Sequence, residues 1–141
     1  MGIGGQSRGN VGAVDATTGL ATTWDPNTNS TTRALAVTSD KIYVGGDFTT
    51  VGGGASNRNY LAEYNKSTGA LTSWNPNMSN AVYSIYHNGS TLFAGGSFIS
   101  AGSSLSPYLA RWSNPTIAFT SSTGSGAEST TSVNIGVSLG S

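Results

Sequence analysis

The chain repeats itself every fifty residues, and that period restricts its fold more than any other feature. A shift of fifty sets DATTGLATTWDPN (15–27) on NKSTGALTSWNPN (65–77), and KIYVGGDF (41–48) on TLFAGGSF (91–98). It superposes Trp24 on Trp74, Gly45 on Gly95, Gly46 on Gly96 and Phe48 on Phe98 without a gap. A third phrase recurs as NVGAVD, YLAEYN and YLARWS from residues 10, 60 and 108; its last copy arrives two residues early, as a shortened loop would make it. Repeats of this length build supersecondary units that bury their apolar faces only by stacking on neighbours.

Within one period the pattern predicts four short strands. They are TTRALAV (31–37) or AVYSIYH (81–87), then KIYVGGDF or TLFAGGSF, then YLAEYN, then ALTSWNP (70–76). Turn residues separate them: Ser39-Asp40, Asn88-Gly89, the glycine run 52–54 and Ser67-Thr68-Gly69. Asn88-Gly89 between two strands predicts a tight hairpin. No segment keeps a helical period. Four antiparallel strands per repeat predict an all-β fold, an incomplete β-propeller of four-stranded blades. Trp24/Trp74, Tyr43/Phe93 and Phe48/Phe98 then fall at packing positions between blades. A Gly-Gly pair within a strand marks a bulge or a close backbone approach. Trp-Asx-Pro-Asn reads as a turn out of the fourth strand, with proline fixing φ.

Composition supports this reading and removes several functions. Glycine occurs 20 times and charged residues make up only 9%, with a formal net charge of zero, so nothing attracts nucleic acid or an anionic membrane. No stretch approaches the roughly 20 apolar residues that span a bilayer, which argues against membrane insertion. The absence of cysteine removes disulfides and thiolate metal sites. The N-terminal MGIGGQSRGN has no signal-peptide pattern, and Met1 is not expected to be the natural start.

The phrases IYVGGDFTTVGG, NYLAEYN, TGALTSWNPN and LFAGGSF resemble the delta-60 repeat, a bacterial β-propeller-like family of large surface or secreted proteins, over about residues 3–113. Kelch repeats are the nearest competitor, and the Phe two places after Gly-Gly and the Trp-Asx-Pro-Asn end favour delta-60. The resemblance implies an extracellular or cell-surface location and neighbouring blades of a longer chain. It implies a non-catalytic structural or interaction module with a protein or glycan ligand. The repeats occupy 1–113, as a partial blade, a complete blade and a second partial blade. After Asn114-Pro115 the composition shifts, and 114–141 resembles the opening of a Calx-beta domain, a truncated β-sandwich fragment. That likeness implies a calcium-ligand role for Glu128; no other cofactor is expected.

Candidate chemistry is sparse. His87, the only histidine, aligns with Val37 and reads as a packing or rim position. Asp15 and Asp25 align with asparagines, Asp47 with Ser97 and Glu63 with Arg111, so no acid recurs at these positions. What recurs is a short polar side chain able to bond its own backbone at a turn. Gly52-Gly53-Gly54 leads into a strand, not the helix N-terminus that a phosphate cradle needs. These residues give no reason to propose catalysis. The alternatives are a fragment of a propeller-containing extracellular enzyme, or a calcium-dependent adhesive unit.

Overall fold

The computed structural model describes residues 2–113, and every regular element in it is a β-strand. The expected sandwich fragment, with Glu128 and its calcium role, lies outside the described residues. In chain order the strands are β1 (Gly2–Ile3), β2 (Gln6–Ser7), β3 (Thr32–Val37), β4 (Lys41–Gly46), β5 (Thr50–Val51) and β6 (Ser56–Asn57). There follow β7 (Leu61–Asn65), β8 (Val82–His87), β9 (Thr91–Gly96), β10 (Ser100–Ala101), β11 (Ser104–Leu105) and β12 (Leu109–Ser113).

Two antiparallel three-stranded sheets form the body, ordered β3-β4-β7 and β8-β9-β12. Their registers are the same after the fifty-residue shift: Leu35 opposes Val44 as Ile85 opposes Ala94, and Ala36 opposes Tyr43 as Tyr86 opposes Phe93. Both sheets carry a bulge at one place, between Thr32 and Ala34 and between Val82 and Ser84, opposite the Gly-Gly pair. The second glycine explains it. A β-carbon at Gly46 would overlap the Thr31 carbonyl oxygen, and one at Gly96 the Ala81 carbonyl oxygen. Those carbonyls accept the next amides, Asp47 N–H at 2.9 Å and Ser97 N–H at 3.0 Å, so the preceding strand bends across a bare backbone. Gly45 has a different partner. The space its side chain would take is filled by Val82 and Ile85 of the following sheet.

Three two-strand hairpins, β1-β2, β5-β6 and β10-β11, interrupt the sheets. Strands of two residues are too short to leave an alternating pattern, and the sequence marked only the glycine run between β5 and β6. The β5-β6 turn spans residues 52–55, whereas the β10-β11 turn spans 102–103. That difference accounts for the two residues missing before YLARWS.

The fourth strand is a correction. Over 70–76 the chain makes one isolated bridge, Tyr64 with Leu71, and then departs; Val14 with Ala21 is the earlier counterpart. The Thr72 hydroxyl captures the Trp74 N–H at 3.3 Å, and Pro76 has no N–H to offer a ladder. The hairpin expected at Asn88-Gly89 joins β8 to β9 through residues 88–90. Gly89 alone has positive φ, and the Asn88 carboxamide oxygen accepts the Ser90 and Thr91 N–H groups.

The core lies between layers. Val11 and Trp24 pack on Val44, Phe48, Ala62 and Tyr64, and fifty residues later Leu61 and Trp74 pack on Ala94, Phe98, Ala110 and Trp112. Phe48 and Phe98 are fully buried at equivalent sites. Trp24 meets Tyr64 edge-on at 5.6 Å, and Trp74 meets Trp112 edge-on at 5.3 Å. Such pairs contribute about 0.5–1.5 kcal/mol beyond their buried area. Among the described residues the sheets form a layered stack that does not close into a ring.

Candidate functional site

The Trp-Asx-Pro-Asn phrase is a turn in the structure. Asp25 accepts the Asn27 N–H at 3.0 Å, and Asn27 and Asn77 both adopt left-handed φ, 44° and 50°. Asp15 and Asn65 likewise cap their own turns, accepting the N–H groups of Thr17 and Thr18, and of Ser67 and Thr68, at 2.8–3.0 Å. An acid and an amide serve equally because each supplies only a carbonyl-type oxygen. The Thr18 bonds hold the Asp15 carboxyl below its ordinary range, the backbone N–H contributing most. These residues are occupied by local structure and carry no site.

Trp74 leads elsewhere. It forms part of a cleft of about 440 Å³ between the two sheets, at the end where the β3-β4 and β8-β9 turns lie. Volumes of this size suit a small ligand. Trp74 stands edge-on to Tyr43 at 5.8 Å, and Tyr43 lies nearly parallel to His87, with 6.3 Å between ring centres and 18° between planes. Trp112 completes the aromatic wall. Beside Tyr43, which faces Glu63 across the β4-β7 ladder, Lys41 Nζ approaches Glu63 Oε1 at 3.1 Å, and the Thr72 hydroxyl donates to the same oxygen at 2.9 Å. Oε2 receives neither of these bonds. Glu63 is buried although it lines open space. Burial first, and then the Glu63 carboxylate, push the Tyr43 phenol up to about 12. His87 accepts the Gly89 N–H on Nδ1 at 3.1 Å, which places the proton of the neutral ring on Nε2.

The repeat supplies an internal control for these residues. The positions of Lys41, Tyr43 and His87 hold Thr91, Phe93 and Val37 in the other copy, and Glu63 is replaced by Ala13 and Arg111. Thus four polar groups that the architecture does without elsewhere converge on one cleft. The corresponding hollow of the preceding layer, about 470 Å³, is lined by Trp24, Ile42 and Ala13, and its charged residues Asp25 and Lys66 are exposed. A buried ion pair gives little net stability, since desolvation offsets the attraction. Glu63 is held by Lys41 and by Thr72 of the adjoining segment, bonds that the other copies do without.

Of the residues singled out by the repeat, Trp74 enters the cleft and Trp24 its counterpart, whereas Gly45, Gly46, Phe48, Gly95, Gly96 and Phe98 build the layers. His87, read from its alignment with valine as a packing or rim position, lines the cleft. Sequence reasoning missed Lys41 and discounted Glu63; comparing the copies for departures, not only for agreement, would have flagged both. Among the described residues, no three His, Asp or Glu side chains gather to hold a metal ion. The chain matches no family model, no curated protein and no solved structure.

Proposed function

We propose that the chain is a non-catalytic interaction module: propeller-type repeats of a large bacterial surface or secreted protein, holding a protein or glycan ligand in the cleft between successive sheets. The resemblance of the repeat phrases supports the surface location. The observation that carries the binding reading is the meeting of Lys41, Tyr43, Glu63 and His87, all absent from the equivalent positions, in one aromatic-walled cleft. Ligand sites combine an apolar wall with a few converging polar groups, and this cleft has that form.

The test is to probe immobilised glycan and peptide panels with the unaltered chain and with Glu63→Ala/His87→Val. Binding to a subset of either panel, lost in the double variant, is the expected result. Binding that survives the double variant places the ligand elsewhere and ends this reading. Turnover of a bound glycan would replace it with the enzyme reading, for which Asp40 and Glu63, both lining the cleft, are the two available carboxylates.

A further inference from the structure

Resting on that binding reading, we infer that the ligand of the cleft is a neutral saccharide, held by its hydroxyls at the Glu63–Lys41 pair and by a ring face against the Tyr43–His87–Trp74 wall.

Three features of the cleft select this chemistry. The first is charge. Glu63 and Lys41 offset each other at 3.1 Å, so the cleft offers a strong acceptor beside a strong donor, and Asp40 adds a further carboxylate to the lining that disfavours an anion. A carboxylate and an ammonium side by side match a pair of adjacent hydroxyls, one donating and one accepting. They match a phosphate or a free carboxylate poorly, because Glu63 would repel it.

The second feature is the wall. Tyr43, His87, Trp74 and Trp112 line the cleft with aromatic rings, and a pyranose has an apolar C–H face with hydroxyls around its rim. The third is the backbone. A peptide bound as an added strand needs an unpaired sheet edge. Of the strands that line the cleft, β4 and β9 are central in their sheets and β7 is bonded on its outer side by the 70–72 segment, Asn65 N–H to the Ala70 carbonyl at 2.8 Å and Thr72 N–H to the Glu63 carbonyl at 2.9 Å, which leaves an added strand only the edges of β8 and β12. At the Lys41–Glu63 end, where β4 and β7 are paired on both sides, recognition falls to side chains.

The test is to titrate the full chain with methyl glycosides of glucose, galactose, mannose and N-acetylglucosamine, and with their short oligomers, following tryptophan emission and calorimetry. A panel of uncharged tetrapeptides serves as the comparison. Saturable binding of at least one saccharide is expected, with an emission change that persists in Trp24→Phe, because Trp24 lies in the preceding layer. Glu63→Gln keeps the shape and the Thr72 bond while removing the charge, and is expected to weaken binding at least tenfold; circular dichroism checks that it folds. Affinity is expected to stay within twofold between low and high salt, since the ligand is neutral.

Saccharide binding that is untouched by Glu63→Gln, or that falls steeply with salt, overturns the inference. If tetrapeptides saturate the cleft and saccharides do not, the saccharide inference fails and the binding reading stands. If neither class binds, both fail.

Discussion

Leu61 and Leu109 hold the same place in successive copies, facing Gly45 and Gly95 across their sheets, yet Leu61 is 0% exposed and Leu109 61%. The side chain is the same; the cover differs. Leu61 lies under Val82, Ala94 and Phe98 of the following sheet, whereas no following sheet covers Leu109 among the described residues. Leu61→Ala should therefore cost about 2–5 kcal/mol, transfer plus cavity, and Leu109→Ala less than about 0.5 kcal/mol. Urea midpoints measured side by side check the contrast, and equal losses would mean that the layers do not hold the fold. A second residue-scale expectation concerns pH. Tyr43 and Tyr64 are pushed from the ordinary 10.0 up to about 12, in both cases chiefly by burial. Above pH 10 the unfolded phenols ionise first, so stability present below 10 is lost as pH rises towards 12. Absorbance at alkaline pH should show a late-ionising subset of tyrosines, and the melting temperature should fall across that window.

At the scale of the element, the Gly-Gly strand is where the sequence determines geometry most tightly. Gly46→Ala and Gly96→Ala each force a β-carbon into a backbone carbonyl of the adjoining strand. Neither neighbour is the movable end of a side chain, so each change should cost on the order of 2 kcal/mol or more. Thermal unfolding checks this; Gly54→Ala, with positive φ but open space around it, should lose less. Elements that repeat a long phrase were legible from that phrase. β3, β4, β7, β8, β9 and β12 lie within their expected segments, because each phrase recurs in another copy and is bounded by turn residues. The fourth strand was not legible as it is, since Trp74 and Leu71 carry strand-like character that the Thr72 hydroxyl and Pro76 override locally. The hairpins were invisible because two residues have no period.

Over the whole molecule, repetition and departure from it separate architecture from site. The recurring residues, Trp24/Trp74, Phe48/Phe98 and Gly46/Gly96, fill the layers and shape the strands. The cleft residues were not legible as a group, because Lys41 and Glu63 stand 22 positions apart and only the pairing of β4 with β7 brings them together. Alignment of Glu63 with Arg111 even argued against it, whereas in space the mismatch is informative. Exposed Leu35 and Val37 on one end and Tyr86 and Leu109 on the other are the positions of Ile85, His87, Ala36 and Leu61, so the open faces of the stack are built like its interior.

The most direct measurement makes all four departures conform to the other copies at once: Lys41→Thr, Tyr43→Phe, Glu63→Ala and His87→Val. Removing both members of a partly buried ion pair in favour of residues the repeat already tolerates is close to neutral for stability. The account predicts a variant with an unchanged circular dichroism spectrum, a melting temperature within a few degrees of the unaltered chain (about 1 kcal/mol or less), and no saturable saccharide binding. An unfolded variant, or one that folds and binds as before, would contradict it.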